Sequence, residues 1–193
     1  MTIVQVGTNN GIDPCSEFVL ANKERITELH LIEPQALCNE HIRKVYQSIS
    51  NVKIHNIAIS DNPAISELTI YFPTANAISG HSSSDYKHLI AHSHRDISHI
   101  TVPAFTLEKF FELQGITRCD RLYIDTEGLD CKILLGFDYA KYGISYVEFE
   151  IIHADGAFNK GDSYNKCIDK FISLGYHIKD AGEFNQCAVK NHE

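Results

Sequence analysis

The chain has 193 residues, with 25 Asp and Glu against 17 Lys and Arg, for a formal net charge of −8. That length suits one domain over residues 1–193 with room for a real core. The acid excess argues against a nucleic-acid partner, since phosphate contacts want a basic face. No run approaches the roughly 20 apolar residues of a membrane span, and no basic-then-apolar leader opens the chain. A cytoplasmic protein with no membrane partner is therefore expected. The six cysteines (15, 38, 119, 131, 167 and 187) include no C-x-x-C pair, so they read as reduced, structural thiols.

In chain order, residues 3–7 form an apolar run that reads as a buried strand. Asp13 and Pro14 read as N-cap and first turn of a helix. A strand over 28–32 precedes a helix over 35–48, with Ala36, Leu37, Ile42 and Val45 facing inward. Residues 52–59 read as a third strand, and 67–72 as an extended segment after the turn at Asp61-Asn62-Pro63. The stretch 74–101 reads as irregular. It holds Gly80-His81-Ser82-Ser83-Ser84 and a short helix near 86–91. Thr106 caps a helix over 106–113. A strand over 121–125, a short helix over 129–135 and a strand over 145–151 follow. An amphipathic helix over 163–174 ends at Gly175, and 176–179 with 187–190 close the chain as a hairpin-like pair. This alternation predicts an α/β fold of the Rossmann-like, doubly wound kind. Its sheet is seven-stranded and mostly parallel with an antiparallel last strand, and helices cover both faces.

In such sheets ligands bind beyond the carboxyl ends of the strands. Gly7 and Gly11 follow the first strand, where missing Cβ atoms permit close approach and unusual turns. Asn9 and Asn10 tolerate left-handed backbone. The loop reads equally as a tight turn with no ligand. The second strand ends in Glu33-Pro34, where a carboxylate is placed to accept both hydroxyls of a ribose; a solvated strand-end charge is the plainer alternative. A dinucleotide loop needs G-x-G-x-x-G, but Asn9 stands at its second glycine and no third follows. A nucleoside without phosphates, such as S-adenosylmethionine, fits better than NAD.

Several segments together resemble the FkbM family of S-adenosylmethionine-dependent methyltransferases. Gln5-Val6-Gly7-Thr8-Asn9-Asn10-Gly11 is similar to its D-x-G-A-N-x-G loop, and Glu33-Pro34 to its E-P strand end. Asn56-Ile57-Ala58-Ile59-Ser60 resembles its n-x-A-hydrophobic-s strand, and Gly80–Ser84 its Ser-rich loop. Val102-Pro103-Ala104-Phe105-Thr106-Leu107-Glu108 matches its V-p-x-x-T-L segment. The run from Tyr123 through Ile124-Asp125-Thr126-Glu127-Gly128 to Gly136 fits its most specific signature, I-D-x-E-G. Val147-Glu148-Phe149-Glu150 resembles its acidic strand.

The resemblance implies methyl transfer from S-adenosylmethionine to a hydroxyl of a sugar or other small polar acceptor. It implies cofactor contacts from Gln5, Gly7, Thr8, Asn9, Gly11, Glu33, Pro34, Asn56, Ala58 and Asp125. Asp125, Glu127, His81 and His153 are the expected catalytic groups, and His81, Ser82, Ser83 and Glu150 the expected acceptor contacts. Asp125 is open to three roles: proton acceptor, contact to the methionine moiety, or metal ligand. Asp125 and Glu127 also read as caps of the next helix. The spacing of His88, His92, His94 and His99 matches no closed zinc pattern, so they read as solvated loop residues and no metal site is expected. Two departures stand out. Gln5 replaces an acidic residue that helps hold the cofactor's ammonium group, and the chain starts at the first strand. The second implies either an open acceptor site or one that a partner chain or another domain completes. The rivals are an inactive module of the same fold and an NAD-dependent oxidoreductase.

Overall fold

The computed structural model describes residues 1–190. Strand β1 (Thr2–Val6) sends Ile3 into one apolar cluster and Val4 and Val6 into another, as a period-2 strand between two layers must. Asp13 caps α1 (Pro14–Ala21) with a capping box. Its carboxylate accepts from the Ser16 N–H at 2.8 Å, and Ser16 Oγ accepts from the Asp13 N–H at 3.0 Å. After β2 (Glu28–Ile32), the helix expected over 35–48 is shorter. A 3₁₀ turn at Ala36–Cys38 leads into α2 (Asn39–Val45). That tighter turn rotates Ala36 and Leu37 out to solvent, contrary to expectation. Cys38, Ile42 and Tyr46 fill the inner face instead.

The strand expected over 52–59 is two short strands in different sheets, β3 (Val52–His55) and β4 (Ala58–Ile59). The break falls at Asn56, whose side-chain N–H groups donate to the carbonyl of Glu33 at 2.8 Å and to Asn39 Oδ1 at 3.0 Å. Next come β5 (Glu67–Pro73), α3 (Tyr86–Ala91) and β6 (Ile97–Phe105). Residues 97–101, expected to be irregular, thus open a nine-residue strand. Pro103 disguises it, because proline donates nothing to a ladder. Its ring faces solvent while Val102 and Ala104 point into a small core.

Thr106 caps α4 (Leu107–Gln114), as expected, accepting from the Lys109 N–H at 3.2 Å. The remaining elements are β7 (Arg121–Ile124), α5 (Asp130–Leu135), α6 (Tyr139–Tyr142), β8 (Tyr146–Glu150), α7 (Gly161–Ser173), β9 (Tyr176–Asp180) and β10 (Asn185–Lys190).

The main sheet runs β3-β2-β1-β7-β8-β10-β9. Strands β3, β2, β1, β7 and β8 are parallel, and β10 is antiparallel to both of its neighbours. This is the expected seven-stranded sheet with an antiparallel last strand. Residues of α1 and α2 pack on one face, and those of α4, α5 and α7 on the other. A second sheet, β4-β6-β5, flanks the carboxyl end of the first. All six cysteines are buried and free. No helix among the described residues is long and apolar enough to cross a membrane.

One half-buried cation ties two helices of the same layer together. Lys170 of α7 donates from Nζ to the carbonyls of Leu134 (3.2 Å), Leu135 (2.8 Å) and Phe137 (2.7 Å). These carbonyls lie at and just beyond the end of α5, where positive charge is favourable; that of Leu134 also accepts from the Tyr139 hydroxyl at 2.7 Å. Lys170→Met keeps the apolar stem and takes the donor from the carbonyls of Leu135 and Phe137, while that of Leu134 keeps the Tyr139 hydroxyl. It is expected to cost about 2 kcal/mol, read as an unchanged m-value with a lowered urea midpoint.

Candidate active site

Strand order reverses between β1 and β7, because β2 and β3 lie to one side of β1 and β8 to the other side of β7. Their carboxyl ends therefore part and open a crevice. Val6 and Gly7 border it from β1, Asp125, Thr126 and Glu127 from the end of β7. Gly7 sits at φ +80°, and a Cβ there would stand 1.6 Å from the carbonyl oxygen of Asp125. The Asp125 N–H in turn donates to the carbonyl of Val6 at 2.9 Å. Only glycine lets the two strand ends lie this close. The crevice spans about 810 Å³ when the open space at its mouth is included.

One wall is Glu33. It is buried, and it accepts from the N–H of Asn9 at 2.7 Å and from the N–H of Gln35 at 2.9 Å. Burial raises its carboxyl above the usual range, against the lowering effect of those two donors. The two bonds leave lone pairs free on both oxygens. The loop amides are spoken for elsewhere too. Gly7 and Thr8 donate to the carbonyl of Ile32 at 2.9 and 3.2 Å, and Gly11 donates to the carbonyl of Thr8 at 2.9 Å. A phosphate needs free N–H groups, and here it would meet a carboxylate instead. Opposite, Ile57, Ala58, Ile59, Leu68 and Ile70 make an apolar wall from β4, β5 and the residue before β4.

The floor is acidic. Asp125 lies exposed on the crevice, where the crowding protein costs its charged form some hydration. That loss, followed by the charges of Glu127, Asp130, Asp13 and Glu33, holds its carboxyl well above the usual range. Burial and then Asp130 raise Glu127. Burial, with Glu127, Asp125 and Asp130 adding, pushes Glu150 up to about 10. Glu127 also carries a left-handed backbone, φ 54°, held by a 2.7 Å hydrogen bond from Ser83 Oγ to its carbonyl.

A model of the FkbM methyltransferase domain matches residues 5–178. The chain belongs to the FkbM methyltransferase family. S-adenosylmethionine is the methyl donor that goes with this family. The FkbM methyltransferase of Methylobacillus flagellatus KT has a similar fold, with TM-score 0.59 at 12% identity over 97% of this chain. This chain spans only 43% of that protein. The fibrillarin/Nop5p complex is similar at TM-score 0.52 and 8% identity, over 99% of this chain and 72% of that one. No curated protein matches the chain.

As an FkbM methyltransferase, the chain distributes its expected site residues unevenly. Gly7, Asn9, Glu33, Pro34, Ala58, Ser82, Ser83, Asp125 and Glu127 border the crevice. Gln5 does not. Alternation along β1 turns its side chain to the face beneath α1, where its amide donates to Asp13 Oδ2 at 2.6 Å. Thr8 is buried with its hydroxyl on the carbonyl of Ile32, and Gly11 packs against Ile42 and Tyr46 of the α2 region. Asn56 acts one step back, holding the carbonyl of Glu33. His81 turns away toward His94, with ring nitrogens 2.8 Å apart.

Sequence reasoning missed Gln35, Leu68 and Ile70 as crevice residues, and it missed a histidine cluster behind Glu127. His88 and His92 are not solvated loop residues. His88 is 1% exposed, and its ring and that of His92 lie with His153 against Glu127. The local signal was there, in the helical i, i+4 spacing of His88 and His92.

Proposed function

We propose that this chain transfers the methyl group of S-adenosylmethionine to a hydroxyl oxygen of a small polar acceptor such as a sugar. The observation that carries the reading is the pairing of Asn9 with Glu33. It closes the loop to phosphate and presents a buried carboxylate to a ribose. In this reading Gly7, Asn9, Glu33 and Pro34 hold the nucleoside, and the apolar wall around Ala58 takes the purine. The acidic floor favours a cationic guest, because each added anion there raises its neighbours' cost of ionisation.

Bound S-adenosylmethionine supplies an electrophilic methyl group on a positively charged sulfur. The chain's own work is alignment and proton removal. Asp125 is the group on the crevice floor assigned to take the acceptor's proton, with Ser82 and Ser83 orienting the acceptor. His153 is a positioning residue rather than the base. Its Nδ1 already accepts from the Phe158 N–H at 2.9 Å, so in the neutral ring the proton sits on Nε2, facing Glu127 and Glu150. The acid excess of the chain favours an uncharged acceptor over a polyanion. A partner chain or further domain that completes the acceptor side agrees with the longer relative.

The reading is tested with methyl-labelled S-adenosylmethionine and a panel of sugars, phenols and amines. Label on a hydroxyl oxygen is expected; label on nitrogen alone sinks the hydroxyl assignment. Glu33→Gln turns an N–H₂ donor toward one of the two N–H donors and removes the charge. Affinity for S-adenosylmethionine is expected to fall about 10–100-fold by calorimetry, the equivalent of one charged hydrogen bond. An unchanged Kd would remove Glu33 from the ribose.

A further inference from the structure

The cluster behind the crevice holds polar atoms with no partner. Both ring nitrogens of His88, Nε2 of His92 and Oε2 of Glu127 are buried and unbonded. A buried polar atom left unpaired costs about 1–3 kcal/mol, so four in one place demand a cause. They converge. One ligand atom from each of His88, His92, Glu127 and His153 lies within 4.8 Å of the others. His88 Nε2 and Glu127 Oε2 stand 3.1 Å apart without the alignment of a hydrogen bond. Two ligands on one tetrahedral zinc ion stand about 3.4 Å apart, from bond lengths of about 2.0–2.1 Å.

We infer that His88, His92 and Glu127 form a binding site for a zinc-class divalent ion. The ligand types fit that class, since imidazole with a single carboxylate suits transition ions better than magnesium or calcium. His88 lies on α3 and His92 at its C-cap, four residues on, so both project from one side. Glu127 meets them from a left-handed backbone, a conformation that costs a non-glycine residue about 1–2 kcal/mol. Ser83 holds that conformation through the Glu127 carbonyl.

His153 lies beside Glu127 rather than on the ion. With Nδ1 occupied by the Phe158 N–H, its Nε2 proton points toward Glu127 Oε2 at 3.7 Å and Glu150 Oε1 at 3.8 Å. The Phe158 ring covers the cluster, 4.7 Å from the ring of His92 and 4.9 Å from that of His153. Two histidines and one glutamate leave a fourth position for water or an acceptor oxygen, the ligand count of a reactive rather than a purely structural site. Glu127 borders the crevice as well, so the ion would stand where crevice and cluster meet. The site does not depend on methyl transfer.

The test is metal binding itself, on the untagged chain stripped with chelator and then dialysed free of it. Cobalt(II) serves as the optical probe for a zinc site. One equivalent is expected to bind saturably, with a visible ligand-field spectrum, and zinc is expected to displace it. His88→Gln and His92→Gln are each expected to lower affinity by more than the roughly 10–100-fold typical of an outer partner. His153→Ala is expected to stay within that range, and exposed His41→Gln to change nothing. His92 is only half-buried, so if His88→Gln fails to fold by circular dichroism, His92→Gln decides. Absence of saturable binding, or wild-type affinity in His92→Gln, overturns the site. S-adenosylmethionine titrations on the same samples keep this result separate from the proposed activity.

Discussion

Gly7→Ala is expected to leave no stably folded protein, or one whose Tm is lowered by at least about 10 °C. The added methyl carbon would stand 1.6 Å from the carbonyl oxygen of Asp125 and 2.7 Å from its carbonyl carbon, both backbone atoms. No rotamer relieves that overlap. Either β1 and β7 move apart, breaking the 2.9 Å bond from the Asp125 N–H to Val6, or Gly7 leaves its φ of +80°. Left-handed backbone adds about 1–2 kcal/mol for alanine. Overlap at a central strand pair belongs with the rare substitutions costing more than about 4 kcal/mol, against a net stability of only about 5–15 kcal/mol. In a chain of this length each kcal/mol is worth about 2–4 °C. Gly11→Ala is the informative comparison. Its Cβ would meet nothing closer than 3.4 Å, so it carries the backbone penalty without the collision. Thermal melts of the two variants beside the parent check this. Equal, small losses would show that the strand ends do not approach as described.

Asp125→Asn is expected to cut turnover by about 10²–10⁴-fold, the usual worth of a positioned acid–base group, while the protein stays folded. The two side chains have the same shape, so packing survives and only charge and basicity go. The change also removes one member of a crowded acidic floor. Stability is therefore expected to hold or rise slightly, since the surrounding protein and four neighbouring carboxylates disfavour ionised Asp125. A rate assay with the acceptor identified from the labelled panel, paired with a melt, separates the two effects. Near-normal turnover would take Asp125 out of proton removal and leave it as a cofactor contact.

Much of this architecture was legible in local signals. β1, β2, β7 and β8 are apolar runs ending in Gly7, Glu33, Asp125 and Glu150, and each strand end borders or backs the crevice. Asp13-Pro14 and Thr106 announce their helices by capping chemistry that needs only neighbouring residues. What was hidden depends on partners far along the chain. β6 alternates correctly, but Pro103 masks it until β5 supplies the other side of the ladder. Residues 52–59 read as continuous because nothing local reveals that Asn56 will take the carbonyl of Glu33. Gln5 is placed at the cofactor by motif alone, whereas strand alternation turns it away to Asp13. The histidine cluster was hardest. His88 and His92 carry a visible helical spacing, but Glu127 and His153 join them only through the fold.

The proposed binding of S-adenosylmethionine in the crevice between β1 and β7 rests on Glu33. Its most direct test is calorimetric titration of the wild-type chain with S-adenosylmethionine and, in parallel, with NAD. One saturable site for S-adenosylmethionine and no heat from NAD is the predicted result. Binding of NAD without binding of S-adenosylmethionine would contradict the account.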